Sequence, residues 1–254
     1  MNATMILLVM AFAGAASTPR SLQEVLALTA SSVQRFWSQL SSINCTETVL
    51  QQKLGERGKI QFAQNSSFDY LILMDLQGDD ISVEESRVLR KESRKSSDLP
   101  LLLTTGFSTL QFVFHPHYQA SFEYKRLDDE IIGGSGRMRV EFHHVRGMRS
   151  TTAVRLRGHD YPLDLTGTAW IDPDTGVICK IKAELEAPME DLNLRALRAE
   201  VTYAPQHFTT DNKAQWLPAE ALIDVETARQ HWRNNHRFSD YRQFSVQSET
   251  KVSR

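Results

Sequence analysis

The stretch WIDPDTGVICK, residues 170–180, decides the fold because it joins two segments in which apolar and polar residues alternate. Its centre superficially imitates an oxygen-rich calcium loop, with carboxylates at Asp172 and Asp174 and a glycine at Gly176. A calcium loop would need another oxygen ligand in place of that glycine and an acidic residue downstream, where an apolar run follows instead. Proline suits a type I turn and glycine supplies a left-handed residue, so the stretch predicts a hairpin between antiparallel strands.

The alternation on both sides of this hairpin recurs along most of the chain. A period of two residues is typical of strands that bury one face, and short turn-like connections favour antiparallel neighbours. We predict strands near residues 44–54, 58–76, 80–90, 118–128, 138–145, 152–158, 163–171, 177–187, 195–204, 217–227 and 240–252. An antiparallel sheet built from such strands has one apolar face that must be covered.

Two apolar segments are available to cover that face. Apolar residues recur at intervals of three, four and seven from residue 21 to about residue 43, which predicts an amphipathic helix. Residues 100–114 are too uniformly apolar for a surface element, and Pro100 suits the first turn of a helix. We therefore predict a second, buried helix there, after an exposed polar loop at residues 90–98.

The beginning of the sequence is typical of an export signal. An apolar run at residues 5–13 precedes the small residues Ala-Gly-Ala-Ala, and the run is too short to span a bilayer. We predict a signal peptide at residues 1–16 and one periplasmic or secreted domain at 17–254 that does not span a membrane after cleavage. With 254 residues and a formal net charge of -2, the chain is long enough for a sizeable core and has no overall charge to attract nucleic acid.

Two cysteines, Cys45 and Cys179, are present. An isolated pair in an oxidising compartment favours one long-range disulfide. Two buried thiols are the alternative, because Cys179 is placed on the apolar side of its predicted strand. The pattern leaves both alternatives open.

The motifs of this chain resemble those of the bacterial periplasmic lipoprotein-carrier superfamily, which includes outer-membrane lipoprotein sorting proteins. The resemblance lies in GTAWIDPDTGVICKI at residues 167–181 and, more loosely, in the closing strand YRQFSVQSETKV at 241–252. It also lies in the order of the elements: a signal, a helix with a Phe-Trp pair, and long strands that begin with SINCTETVLQQKL. The sequence also resembles, more closely, exported bacterial proteins of similar length that share the pattern DYPL…GTAWIDP…HWRN…F-x-DY-x-x-F, found here at residues 160–173 and 231–244.

This resemblance implies an α+β fold in which a curved antiparallel β-sheet, an unclosed β-barrel, wraps around the N-terminal amphipathic helix and the second apolar helix. It also implies an apolar cavity that receives a lipid, an acyl chain or a lipidated protein, and it transfers no catalytic residue. The expected function is therefore non-enzymatic binding of an apolar ligand without a cofactor. The residues expected to line the cavity are Trp37, Phe107, Leu110, Phe112, Ile181 and Ile223.

Histidines and one serine are the remaining candidates for chemistry. The motifs HPH at 115–117 and EFHH at 141–144 could each present metal ligands, because alternate residues of a strand share a face. The proline favours an exposed corner between two elements, so we interpret these histidines as solvated or hydrogen-bonded. Ser135 in GGSGR departs from the Gly-x-Ser-x-Gly register of a nucleophile elbow. We expect neither a metal site nor a catalytic site.

A basic and aromatic segment near the C-terminus suggests a second kind of contact. Arg233, Arg237 and Arg242 lie in or beside a predicted polar loop at residues 229–242. Such a patch could bind phosphate head groups or a protein partner. The alternative function is therefore a cell-envelope sensing or interaction module that uses this loop and a sheet edge.

Overall fold

The computed structural model describes residues 19–77, 80–92, 104–156, 159–208 and 214–244. The predicted signal peptide at residues 1–16 lies outside the described residues. The same is true of most of the predicted loop at 90–98 and of the start of the predicted second helix.

One antiparallel sheet of eleven strands dominates the described part of the chain and makes the fold α+β. Its strand order is β3-β2-β1-β13-β12-β11-β10-β9-β6-β4, with β5 paired to β6, and β7 and β8 form a separate two-stranded sheet. The strands are β1 (Ile43–Leu54), β2 (Ile60–Gln77), β3 (Asp80–Glu92), β4 (Phe122–Arg126), β5 (Glu130–Ile132), β6 (Ser135–His144), β7 (Ala153–Leu156), β8 (His159–Pro162), β9 (Leu165–Ile171), β10 (Ile178–Leu185), β11 (Leu194–Gln206), β12 (Gln215–Thr227) and β13 (His231–Gln243).

The sheet is open, as the family resemblance implied. Strands β3 and β4 stand at the two ends of the strand order and do not pair with each other in the described residues. Apolar side chains of the central strands turn to one face and pack against the helix α1 (Leu22–Leu40) and the segment at residues 107–118. The α+β prediction is therefore confirmed, with the core between the inner face of the sheet and these two elements.

The hairpin predicted at WIDPDTGVICK is also confirmed, because β9 pairs antiparallel with β10 around it. Oδ1 of Asp172 accepts hydrogen bonds from the backbone N–H groups of Asp174 and Thr175, both at 3.0 Å. The other carboxylate oxygen of Asp172 pairs with the guanidinium of Arg137. The aspartate thus stabilises the turn and a neighbouring strand rather than a calcium ion.

This hairpin also positions helix α1. The helix begins with a capping box, in which the Ser21 hydroxyl accepts from the Glu24 N–H and the Glu24 carboxylate accepts from the Ser21 N–H. At Gly176, φ is +71°, and an added Cβ would lie closer than 3.0 Å to backbone atoms of Leu28 and Thr29 in α1. The glycine is therefore required both by the turn and by the contact between hairpin and helix.

The second apolar segment is buried but forms less helix than the sequence predicted. Residues Leu110–Phe114 form a 3-10 helix, and Pro116–Gln119 form a single turn of α-helix, α2. Residues 106–109 are bends and turns with a left-handed glycine at Gly106. A uniformly apolar run predicts that a segment is buried, but it has no period that identifies the secondary structure. It therefore placed this segment in the core without predicting its backbone conformation.

The predicted loop at residues 229–242 is wrong, because His231–Gln243 form strand β13 in the middle of the sheet. The inward-facing positions include Asn234 and His236, which are 1% and 2% exposed. Because polar residues occupy buried positions, the alternation between apolar and polar residues that identifies a strand is weak here.

Strand β10 contains an irregularity that the sequence did not predict. Its register with β9 shifts between Ile178 and Lys180, so Ile178 and Ile181 are both buried while Cys179 is partly exposed. A one-residue bulge of this kind changes the face on which later side chains lie. The prediction that Cys179 lies on the apolar side of its strand, which buries Ile181, is therefore wrong.

Candidate ligand-binding cleft

The six residues predicted to line a cavity lie together inside the half-barrel, where they are packed. Phe107, Leu110, Phe112, Ile181 and Ile223 are each at most 7% exposed and belong to one apolar cluster, against which Trp37 packs. Trp37 stacks on Phe112 with ring centroids 4.9 Å apart. The void beside Phe107 and Ile223 has a volume of about 10 Å³, enough for about one water molecule.

A larger space opens beside this core, between helix α1, the β9–β10 hairpin and the start of β12. This cleft has a volume of about 690 Å³, within the range of small-molecule binding sites. Its lining residues are Ser32, Arg35, Phe36, Gln39, Gln111, Arg137, Asp172, Thr175, Val177, Ile178, Cys179, Ala214, Gln215, Trp216 and Leu217. The contact of Gly176 with α1 fixes the helix at one side of the cleft.

The walls of the cleft combine apolar and polar groups. Phe36, Ile178 and Leu217 supply buried apolar surface, and Trp216 is partly exposed. Burial alone would raise the pKa of Asp172, but hydrogen bonds from Thr175 and Asp174 and the positive charge of Arg137 lower it below its ordinary value. The carboxylate therefore stays ionised and neutralises Arg137 in the cleft wall.

Both cysteines are free thiols, so the structure contains no Cys45–Cys179 disulfide. Burial raises the pKa of Cys45 to about 12 and also raises the pKa of Cys179. Sγ of Cys179 lies 3.3 Å from the carbonyl oxygen of Trp170, to which it donates. Neither thiol is therefore activated as a nucleophile.

We expect both thiols to react slowly with a neutral alkylating reagent at pH 8 in the folded protein, because little thiolate forms. After unfolding in urea, both should react at the rate of an ordinary cysteine. Mass spectrometry of samples taken during the reaction measures both rates. Rapid alkylation of folded protein at Cys45 would contradict its burial in β1.

A buried polar cluster lies at the other side of the interior and joins three strands to residues 104–108. Glu47 of β1 accepts two hydrogen bonds from Arg87 of β3, at 2.5 and 2.9 Å, and is 2.8 Å from Nδ1 of His236 in β13. Nε2 of His236 lies 2.9 Å from Oγ1 of Thr104. Oε1 of Glu85 accepts from the backbone N–H of Gly106 at 2.5 Å. The cluster therefore attaches the inner segment to the sheet.

Hydrogen bonds link Thr104 to His236 and His236 to Glu47. This is the order of a hydroxyl nucleophile, a base and an orienting acid in a catalytic triad. Two observations argue against catalysis. The adjoining void holds about 10 Å³, which leaves no space for a substrate. Glu47 is also shared with Arg87, and Thr104 Oγ1 additionally accepts from the side-chain amide of Asn234 at 3.2 Å. We interpret the arrangement as structural.

The three arginines predicted to contact a partner lie on β13, away from the cleft. Arg233 donates to Oδ2 of Asp224 at 3.0 and 3.1 Å, and Arg237 lies 3.1 Å from Glu220. Arg242 is exposed and opposite Asn44 in the ladder with β1. Because carboxylates neutralise two of these arginines and β13 is not an edge strand, the geometry does not assemble a basic loop. Contact with an envelope partner or with head groups stays a prediction.

The histidines of the two motifs at 115–117 and 141–144 do not come together to form a metal site either. His143 is exposed beside Thr166, whereas His144 is buried and lies 2.8 Å from Asp164. Nδ1 of His115 accepts from the backbone N–H of His117, and burial lowers the pKa of His115 to about 4. Within the residues that the structure describes, no group of three or more His, Cys, Asp or Glu side chains could hold a metal ion.

Helix length limits what the described helices can do. None of the helices within the described ranges is both long enough and apolar enough to cross a membrane.

Comparison with known proteins gives matches among solved structures. No protein-family model matches the sequence, and no curated protein matches it. A DUF1329 family protein from Desulfovibrio piger has a TM-score of 0.45 and 12% identity, with 91% of this chain and 96% of that chain covered. A candidate outer membrane lipoprotein-sorting protein domain from Vibrio parahaemolyticus has a TM-score of 0.44 and 10% identity, with coverages of 88% and 95%.

A third similar structure is a LolA superfamily protein from Nitrosomonas europaea, with a TM-score of 0.36, 10% identity and coverages of 89% and 94%.

Sequence reasoning missed the cleft because its walls come from five separate parts of the chain. Residues of α1, the 3-10 helix, β6, the β9–β10 hairpin and the start of β12 meet only in three dimensions. A one-residue bulge in β10 adds the side chain of Cys179 to the wall, and alternation alone placed that residue elsewhere. The sequence predicted only a turn at Gly176, and its contact with α1 appears only in the folded chain.

Proposed function

We propose that this chain is an exported, non-enzymatic binding protein that takes an apolar ligand, a lipid or the lipid of a lipidated protein, into the cleft between α1 and the β9–β10 hairpin. The observation that supports the proposal is the cleft of about 690 Å³, which opens beside the packed apolar cluster around Phe107 and Ile223. A carrier needs such a space at the protein surface, because its ligand must enter and leave.

The chemistry of the cleft supports binding rather than catalysis. Its apolar side is formed by Phe36, Ile178 and Leu217, which can remove an acyl chain from water. Its polar side contains a neutralised Arg137–Asp172 pair and the protonated thiol of Cys179. A pair fixed in a turn and a neutral thiol supply neither a base nor an activated nucleophile.

Export is part of the same proposal. The apolar run at residues 5–13, followed by small residues, is typical of a cleaved signal, which would deliver the chain to the periplasm or outside the cell. Two free and unactivated thiols are compatible with that location because neither needs a partner. Mass determination of protein recovered from the periplasmic fraction would test cleavage near residue 16.

Filling the cleft should abolish binding. Ser32 lies on the face of α1 that lines the cleft, so the variant Ser32→Trp should place an indole in the ligand's space. We expect affinity for an acyl-chain probe to fall at least about tenfold, equivalent to about 1.4 kcal/mol. Displacement of a fluorescent acyl probe, together with native mass spectrometry of co-purified lipid, measures the loss.

Ser31→Trp is the matched control, because Ser31 is the adjacent residue and is exposed, with its hydroxyl donating to the Ala27 carbonyl. It adds the same side chain to the same helix without entering the cleft. Similar melting temperatures for both variants would show that α1 remains folded. Equal probe affinities for Ser31→Trp and Ser32→Trp would rule out the cleft as the binding site.

A further inference from the structure

We propose that the cleft recognises an anionic amphiphile, whose acyl chain lies on the apolar wall and whose negatively charged oxygens meet Arg35 and the side-chain amide of Gln111. This inference rests on the proposed function and adds the chemical class of the ligand. The shared chemistry is an anionic oxyacid head on one hydrocarbon chain, which a carboxylate or a phosphate monoester could supply.

The charge of the cleft favours an anion. Its charged lining residues are Arg35, Arg137 and Asp172. Asp172 and Arg137 neutralise each other in an ion pair, which leaves the positive charge of Arg35. Arg35 is exposed on α1, and its side chain makes no ion pair within the described ranges. A negatively charged group in the cleft would therefore compensate the remaining cation.

Gln111 supplies a second, independent observation. Gln111 is 5% exposed, and its side-chain Nε2 has no hydrogen-bond partner among the residues that the structure describes. A buried donor without an acceptor is costly, so such groups are uncommon and require an explanation. Because Gln111 forms part of the cleft wall, an oxygen of a bound head group is an acceptor that could satisfy it.

The apolar wall continues from these donors. Phe36 follows Arg35 directly in α1, and Leu217 and Ile178 line the same cleft. A ligand that is polar at one end and apolar along its length matches this division better than a wholly apolar one. Trp216 lies in the lining, so its fluorescence can report on a chain that enters.

The experiment uses the purified full chain and two probes, a 16-carbon carboxylic acid and the corresponding 16-carbon alcohol, each brominated along the chain to quench Trp216. Unlabelled hexadecanoate, hexadecyl phosphate and hexadecanol then compete for the site. The variants are Arg35→Gln, Gln111→Leu and, as a control, Arg195→Gln, since Arg195 is an exposed residue of β11 outside the cleft. Trp216→Phe identifies the quenching that comes from the cleft.

We expect both anions to compete better than the alcohol. Arg35→Gln should lower the affinity for both anions about fivefold, a modest loss because the arginine is exposed and its charge is screened by solvent. The affinity for the alcohol should not change. Gln111→Leu should weaken the anions about tenfold without lowering the melting temperature, since it removes an unmet donor as well as a ligand contact. Arg195→Gln should change nothing. Whichever of the two anions competes more strongly, hexadecanoate or hexadecyl phosphate, identifies the preferred head group as a carboxylate or a phosphate.

The possible failures are distinguishable. If acid, phosphate and alcohol bind equally and Ser32→Trp still abolishes quenching, the anionic head is overturned while the proposed function stands. The same conclusion follows if a preference for anions survives in both Arg35→Gln and Gln111→Leu. If neither brominated probe quenches Trp216 in the unmodified chain, both the inference and the proposed function are overturned.

Discussion

The variant Gly176→Ala is expected to lower the free energy of unfolding by about 2–5 kcal/mol, one of the two largest single-residue effects that we predict. Two separate costs contribute. With φ at +71°, any residue with a Cβ is strained, and the new Cβ would lie closer than 3.0 Å to backbone atoms of Leu28 and Thr29. Backbone atoms of a helix cannot move aside as a flexible side chain can, so hairpin and helix must separate.

Urea unfolding measures this loss, and Gly58→Ala is its matched control. Gly58 has φ of +74°, close to that of Gly176, but a Cβ added there meets nothing within 4 Å. We expect Gly58→Ala to cost only the left-handed strain, about 1–2 kcal/mol. The difference between the two variants isolates the contact between hairpin and helix. Equal losses would mean that the β9–β10 turn does not support α1.

The same variant also links the fold to the proposed site. Because the hairpin and α1 are two walls of the cleft, separating them should weaken acyl-probe binding even where the protein remains folded. Gly58→Ala lies in the turn between β1 and β2, outside the cleft lining, and should leave binding unchanged. Loss of binding in the first variant alone would connect the local turn geometry to function.

The sequence predicted those elements in which local pattern and burial agree. The residues on both sides of the β9–β10 turn alternate in sequence, and the turn has the required proline and glycine, so the hairpin followed from the residues alone although the bulge in β10 did not. Helix α1 followed from its apolar period, and the structure adds a capping box of Ser21 and Glu24 at its start. In both cases the local preference and the tertiary environment favour the same structure.

Other elements were missed because buried positions hold polar residues or because the backbone departs from a regular period. Asn234 and His236 face the interior from β13, which made a central strand read as a polar loop. The buried, largely apolar residues 110–114 fill the half-barrel as a 3-10 helix, and composition does not distinguish that from an α-helix. The cleft depends on how these elements pack, so no local pattern could reveal it.

Removing the charge of Glu47 is the second change with a large expected effect. Glu47 is 0% exposed and pairs with Arg87 and His236, so Glu47→Gln leaves the buried Arg87 with Glu85 as its remaining carboxylate. Breaking a buried pair from one side is strongly destabilising, and we expect a loss of about 3 kcal/mol at pH 7. Glu220→Gln, which breaks the exposed pair with Arg237, is the control and should cost less than about 1 kcal/mol.

The effect should also depend on pH, with a sign fixed by the direction of the pKa shift. Burial alone would raise the pKa of Glu47, but hydrogen bonds from His236 and Arg87 and their positive charge lower it below its ordinary value of 4.5. A carboxyl group with a lowered pKa stabilises the fold fully above its unfolded value, and this contribution is lost as the pH falls through the folded value. The stability difference between the unmodified chain and Glu47→Gln should therefore be constant from pH 7 to about pH 5 and shrink below about pH 4.5. Urea unfolding at several pH values measures that difference. A stability difference that grew on acidification would show that Glu47 is not held ionised by Arg87 and His236.

The comparison at pH 7 is a separate test. If Glu47→Gln cost no more stability than Glu220→Gln, the cluster would not stabilise the interior. The attachment of residues 104–108 to the sheet would then have to come from apolar packing around Phe107.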